Sequence, residues 1–356
     1  MEMIQIPSVF CDSIFYLVAQ GVATGQMTRW DCLFTSMVRW SRDEKGNQIV
    51  NDYALLKEIG HGSYGRVYLC ERRVGQLPYR KFAMKIMSKP RLRRLCAGGM
   101  RKVTPEEKLR KEVEVMRHLY HRNVILLFEV LEEHEGYQGA EEGGRVCMVV
   151  EYMERGPTMK YDENRYRFVR LDTGGVYSED EAKPLLRDLI EGLMYLHGQG
   201  IVHRDIKPEN LLIFENGTLR ICDFGCAQYL NPPGANIEQG LTDSAGTLAF
   251  HSPEAVAGNG EPYSGIKADT WAAAVTLYCW IFGDLPFNDP SPEPMFEQIR
   301  AGEPDLGEVV TSELKALLSG MFRKDRAQRL DLRQTLEHPW MEGVPDPPPA
   351  AGFKGV

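Results

Sequence analysis

From Asp52 onward the chain alternates short apolar runs with charged positions, and the period of that alternation changes once along its length. YALLKEIG, RVYLCERR and RKFAMKIM carry the short alternating pattern of strands joined by turns. KLRKEVEVMRHL (Lys108 to Leu119) interleaves charges with apolar residues at helical spacing and predicts a helix. VILLFEVLEE and RVCMVVEYM return to strand character, separated by the acidic, Gly-rich EEHEGYQGAEEGG, an exposed hairpin loop. Beyond about Gly156 the pattern is mostly helical. Ser178 with Glu181 forms a capping box that opens a helix running to about His197. Pro184 lies past its first turn and removes a backbone hydrogen bond, which predicts an irregular first half. ADTWAAAVTLYCWIF (Ala268 to Phe282) is apolar nearly all round, and at that length predicts a buried core helix, not a membrane span. The elements add up to an α+β protein with a strand-rich first lobe, a short connector and a larger helical lobe.

Composition narrows the picture. The 356 residues are enough for one large domain or two small ones, and 43% hydrophobic with 26% charged residues is ordinary for a globular enzyme. A net charge of −8 favours neither nucleic acid nor an anionic membrane as a partner. The eight cysteines show no CxxC pair and no metal spacing, which suggests reduced thiols and a cytoplasmic location. The apolar N-terminus is interrupted by Glu2 and Asp12 and lacks a basic leader. It is too polar for a membrane span and wrongly flanked for a secretory signal. Residues 1–51 are an extension of unknown role, 52–340 the main domain (lobes 52–153 and 157–340), and 341–356 a Pro- and Gly-rich flexible tail.

Four motifs carry chemistry. Gly60, Gly62, Gly65 and Val67 form GxGxxGxV. The three glycines also occur in dinucleotide-binding turns, but those lead into a helix, whereas here RVYLC continues as a strand. Lys85 in FAMK follows on the next strand and suits a cation for the α- and β-phosphates, with Glu112 as its partner; Glu114 points to a different helix face. HRDIKPEN (His203 to Asn210) is the sharpest signal. Asp205 can orient a hydroxyl and accept its proton, Lys207 can neutralise a transferring phosphate, and Asn210 with Asp223 of DFG offers oxygens to Mg²⁺.

These residues resemble the eukaryotic protein kinases over about Asp52 to Trp340, which implies a bilobal protein kinase fold and transfer of the ATP γ-phosphate. By that resemblance Asp205 is the catalytic base, Asn210 and Asp223 are the Mg²⁺ ligands, and Lys85–Glu112 is the ion pair of the active state. Glu151 to Met153 resembles the hinge that binds adenine through backbone groups, with Val150 as a small gatekeeper. Ile59, Val67, Ala83 and Leu212 would line the nucleotide. The activation segment would run from Asp223 to Glu254, with Glu254 pairing with Arg329 and Asp269 bracing the catalytic loop. Lys207 and Thr247 match the serine/threonine branch, with Thr247 facing substrate. Arg204 can bind a phosphate, which makes Ser244 and Thr242 candidate phosphorylation sites. Cys222, just before Asp223, would face the nucleotide pocket, where an enone could reach it; a buried inert thiol is the alternative.

Within the family, NQIVNDYALLKEIGHGSYG, GPTM, YSEDEAKPLLRDLIEGLMYLH and VTLYCWIFGDLPF look like the calcium/calmodulin-dependent protein kinase kinases. The resemblance implies protein substrates that are themselves kinases, of AMP-activated or calmodulin-dependent type, and a role in signal transduction. The basic RLRRLCAGGMRK occupies the position of that subfamily's substrate-recognition insert but lacks its prolines; it is such an insert or an exposed basic loop. No basic amphipathic helix follows Trp340, so calcium/calmodulin dependence is not expected unless the N-terminal residues supply it. GTLAF has Leu248 where proline is usual, and His251 precedes Ser252-Pro253. An ordinary kinase of the calmodulin-kinase group and a pseudokinase scaffold are the alternatives.

Overall fold

Tyr53 and Phe82 lie at the centre of the first structural unit, and the strands that carry them show how it is built. The computed structural model describes residues 32–61, 65–72, 81–94, 104–133, 144–230, 241, 243, 245–257, 261–345 and 347. Its described residues form two compact units, one up to residue 120 together with 125–153, the other 121–124 and the chain from 154 on.

The first unit holds β1 (Leu33–Thr35), β2 (Trp40–Arg42), β3 (Gln48–Val50), β4 (Tyr53–His61), β5 (Gly65–Arg72), β6 (Lys81–Ser88), α1 (Lys89–Arg94), α2 (Pro105–Met116), β7 (Leu127–Glu132) and β8 (Arg145–Glu151). One sheet takes in every strand, in the order β1-β7-β8-β6-β5-β4-β3-β2. All neighbours are antiparallel except β1, which runs parallel to β7. The strand period of two sends Cys70, Phe82, Met84, Cys147 and Val149 to one face, where they pack with Val38, Val50 and Tyr53. Phe82 meets the rings of Tyr53 and Phe128 edge-on, at 5.7 and 5.1 Å.

β1 to β3 lie in residues for which the sequence pattern predicts no element. They join opposite edges of the sheet, and side chains tie those edges together. Trp40 of β2 donates its indole N–H to Glu133 beyond β7, and the Arg145 guanidinium of β8 stacks 3.6 Å from the Trp40 ring. Thr35 of β1 donates to Glu129, which also accepts from the Tyr53 hydroxyl at 2.8 Å. Burial raises the Glu129 carboxyl above its ordinary value, and these two hydrogen bonds offset part of that rise.

The second unit opens with β9 (Gly156–Pro157) and the hairpin β10 (Lys160–Asp162) and β11 (Arg167–Val169), followed by α3 (Glu179–Gly198). Short strands β12 (Ile201–Val202), β13 (Leu211–Ile213), β14 (Leu219–Ile221) and β15 (Gln228–Tyr229) come next. Helices α4 (Gly265–Phe282), α5 (Pro292–Ala301), α6 (Ser312–Met321) and α7 (Leu332–Leu336) complete it. The capping box of Ser178 and Glu181 is formed. Pro184 lies inside α3 without ending it, since proline removes one hydrogen bond while the buried face of the helix continues on both sides. As its uniform apolarity predicts, α4 is buried along nearly its whole length. Trp271 stacks on Phe287 and meets Phe322 edge-on.

Gly192 marks the close approach of α3 to the short strands. A Cβ there would lie 2.8 Å from Ile221 Cδ1 and 3.0 Å from the Asn123 carbonyl oxygen. Helix propensity alone favours alanine at this position by about 1 kcal/mol. Overpacking costs about 1–3 kcal/mol, so Gly192→Ala is expected to lower the unfolding free energy. The chemical-denaturation midpoint should fall, and a raised midpoint would show that the contact yields.

Candidate active site

The face of the first sheet opposite its apolar core carries Val67, Ala83, Lys85, Met148 and Val150. Register places Val67 across from Lys85, Ala83 across from Val150, and Lys85 across from Met148. Lys85 is therefore held off the core, where its ammonium reaches Glu112 Oε1 at 2.9 Å. α2 presents that carboxylate because Thr104 caps it with a full capping box and Pro105 begins it. Glu112 shares the buried face of α2 with Leu109, Val115 and Met116. Glu114 points elsewhere and pairs with Arg117 at 3.3 Å. Gly60 is the penultimate residue of β4 and Gly65 begins β5, while Gly62 lies outside the described residues. Gly65 has no room for a side chain, because a Cβ would collide with the Ile86 carbonyl. Ile59 is exposed. At the end of β8 the Glu151 carboxylate turns inward to accept the Leu126 N–H at 3.0 Å, and Met153 is buried.

In the second unit β12 delivers the chain to His203. Asp205 Oδ1 accepts from the backbone N–H and the hydroxyl of Thr247, at 2.9 and 2.8 Å. Its Oδ2 accepts from Asn210 Nδ2 and pairs with Lys207 Nζ, both at 2.9 Å. Lys207 also donates to the Thr247 hydroxyl at 2.8 Å, so Thr247 bridges the ammonium and the carboxylate. Burial works against charge on both partners. The hydrogen bond and charge of Lys207, with Thr247 helping, still bring the Asp205 carboxyl below its ordinary value. Asp205 in turn raises Lys207. Asn210 donates a second bond to the Asp205 carbonyl at 2.8 Å, which fixes its nitrogen on Asp205 and its oxygen on the other side.

Asp223 takes a left-handed backbone, φ 63°, and its Oδ1 accepts from the Gly225 N–H. Cys222, half-buried, donates its N–H to the Asn210 carbonyl, and its own carbonyl accepts from His203 Nε2, so a backbone bond and a side-chain bond join this turn to the loop from His203 to Asn210. Leu212, in β13, is half-buried and pairs with Pro157 and Arg220. Thr242 and Ser244 lie outside the described residues.

The support beneath the loop is a buried carboxylate. Asp269 of α4 accepts from the backbone N–H groups of His203 and Arg204, at 2.9 and 2.8 Å, and pairs with His197 Nε2 at 2.9 Å. Glu254 and Arg329 make two parallel bonds of 2.6 and 2.8 Å, with the Arg329 side chain fully buried. Two supporting residues were not among the expected site residues, and only one of them carries a signal in the sequence. Thr158 of GPTM is buried, donates to the Pro208 carbonyl at 2.9 Å and accepts from Trp280 Nε1 at 3.0 Å. Thr104, by contrast, announces itself as the T-x-x-E of a capping box.

Residues 53–341 match the protein kinase domain family. The chain belongs to that family. It is 33% identical over 305 residues to serine/threonine-protein kinase GRIK2 of Arabidopsis thaliana, covering 85% of this chain and 68% of the relative. Serine/threonine-protein kinase GRIK1 of the same plant is 34% identical, with 87% and 71% covered. Serine/threonine-protein kinase STK11 of Rattus norvegicus is 36% identical, with 83% and 62% covered. The protein is thus a serine/threonine kinase of α+β kinase fold, acting on protein substrates with ATP. Among the described residues of this kinase, no helix is long and apolar enough to cross a membrane.

Asn210 and Asp223 offer oxygens of the kind Mg²⁺ takes. Among the described residues no three His, Cys, Asp or Glu side chains form a metal cage. An Asn oxygen and one carboxylate suit a hard cation that takes its other ligands from phosphate and water. The residues fit the ion.

Asp269→Asn would turn an amide N–H₂ toward groups that donate, leaving a buried donor unsatisfied at about 1–3 kcal/mol. Stability measured by denaturant should fall accordingly. Burial pushes the Asp269 carboxyl up, but the His197 bond and the neighbouring His charges hold it below its ordinary value. A depressed folded pKa means stability that is complete above the ordinary carboxylate range of about 3.9 and is lost as pH falls through the folded value. The kinase should lose stability in that acid window, and the Asn variant should lose less of it.

Proposed function

We propose that the kinase acts on other kinases, phosphorylating Ser or Thr in activation loops of AMP-activated or calmodulin-dependent type. The arrangement of Asp205, Lys207 and Thr247 carries the chemical half of this reading, because it pairs a carboxylate with a cation at a bridging hydroxyl. In the proposed reaction Asp205 orients the acceptor hydroxyl and takes its proton. The hydroxyl oxygen forms a bond to the γ-phosphorus, the bond from that phosphorus to the β–γ bridging oxygen breaks, and ADP leaves. Lys207 offsets charge on the transferring group. Lys85, steadied by Glu112, serves the α- and β-phosphates. Asn210 and Asp223 would hold Mg²⁺, which supplies positive charge against the phosphates when bound.

The choice of substrate rests on GPTM, GTLAF and the basic segment before α2. Within GPTM, Thr158 connects the loop at Pro208 to the core helix at Trp280.

Phosphate incorporation into a purified, catalytically dead AMP-activated-type kinase should occur at its activation-loop Thr. Asp205→Asn should lower kcat by ~10²–10⁴-fold, the usual contribution of a positioned general base. Transfer to unrelated peptides with no transfer to the kinase loop would sink the substrate reading and favour an ordinary calmodulin-group kinase. The same assay with calcium and calmodulin added reads whether that control operates.

A further inference from the structure

Arg204 adopts a left-handed backbone, φ 69°, which a residue other than glycine keeps only when its surroundings over-determine it. Three contacts do so. Asp269 accepts its backbone N–H at 2.8 Å. Gly246, φ +102°, lies against the Arg204 carbonyl so closely that a Cβ would collide with it. The third contact grips the guanidinium. Nη2 donates to the Asp243 carboxylate at 2.8 Å and to the Asp243 carbonyl at 3.0 Å, and Nη1 donates to Gln228 Oε1 at 2.6 Å.

The Arg204 side chain is 5% exposed and that of Asp243 is 68% exposed, so a nearly buried cation meets its counter-charge at the surface. The backbone of Asp243 is fixed from the other side. The Tyr263 hydroxyl donates to its carbonyl at 2.8 Å, and Tyr263 exchanges two backbone hydrogen bonds with Leu241.

We propose that Asp243 is a positioning residue that gives Arg204, as a permanent side-chain charge, the anion it needs to hold the catalytic loop, so that transfer requires no phosphate on the activation segment. A buried guanidinium deprived of its anion is strongly unfavourable. Phosphorylation of an activation loop commonly supplies such an anion through a new Arg–phosphate pair. Here the carboxylate already makes that bond. Asp205 is the next residue, so a displaced Arg204 would swing the carboxylate that must meet the acceptor hydroxyl. The inference rests on the reading of Asp205 as the catalytic base.

The test uses the full chain, treated with phosphatase and shown by intact mass to carry no phosphate. Its kcat and KM for ATP are measured on a generic Ser/Thr peptide mixture and, separately, on the kinase activation loop. The dephosphorylated wild type should keep its full kcat. Asp243→Asn should lose about tenfold or more in kcat, the loss of a charge-assisted bond, with KM for ATP unchanged within about twofold. Asp243→Glu should restore most of the rate because it returns the charge, a rescue that general structural damage would not show. Wild-type kcat in Asp243→Asn overturns the proposal, and so does a dephosphorylated wild type that falls to the level of that variant. Should the Asn variant fail to fold, the phosphatase comparison on the wild type decides alone. Transfer to the peptide mixture without transfer to the kinase loop would refute the substrate reading and leave this inference standing.

Discussion

The loop that carries Asp205 hangs on one buried carboxylate. Asp269 is almost wholly removed from water, on a helix that is otherwise apolar nearly all round. A lone charge in that position is untenable unless donors surround it. The donors it recruits are His197 at the end of α3 and the backbone N–H groups of His203 and Arg204. The need to satisfy Asp269 therefore fixes the start of the loop, and a fixed start forces Arg204 into its left-handed turn. That turn sets where Asp205 begins. The core helix thus acts on the loop through a carboxylate buried among apolar neighbours.

The pair of Asp205 and Lys207 follows the same logic with less burial. Asp205 and Lys207 each lose water, and each is kept charged by the other. Thr247 joins them by donating to one and accepting from the other. Because the hydroxyl accepts and donates at once, replacing it with an alkyl group would leave a donor on Lys207 and an acceptor on Asp205 without that partner. In the first unit, Lys85 and Glu112 form a simpler pair. It depends on strand register for one side chain and on helix phase for the other.

Much of this was legible in the sequence because it is written in short-range spacing. The octet from His203 to Asn210 and the Asp223 triplet lie on turns whose backbone groups bond one another, so adjacency in sequence becomes adjacency in space. The choice of Glu112 over Glu114 needed only the helical period. The capping box at Ser178 was equally local. What escaped was long-range. β1 and β2 are too short for a pattern, and they are held by partners far along the chain, Glu129 and Glu133. Thr158 looks like any small polar residue until Trp280 and Pro208 arrive from distant segments to meet it. His197 ends an amphipathic helix with no sign that its ring is meant for Asp269.

That contrast also explains why substrate choice is harder to read than chemistry. Phosphoryl transfer asks for a few charges at fixed separation, and short motifs set such separations almost unaided. Substrate choice asks how surfaces around those charges are shaped, which depends on long-range packing that no local pattern reveals. The segments that depart most from the family pattern, Leu248 and His251, illustrate the point. Leu248 is exposed beside Thr247, while His251 is buried and joined through Nε2 to the Ala245 carbonyl at 3.0 Å. Burial lowers the His251 imidazole pKa, which favours a neutral ring that donates from Nε2. One departure therefore alters what the segment beside Thr247 displays, and the other alters what holds that segment in place.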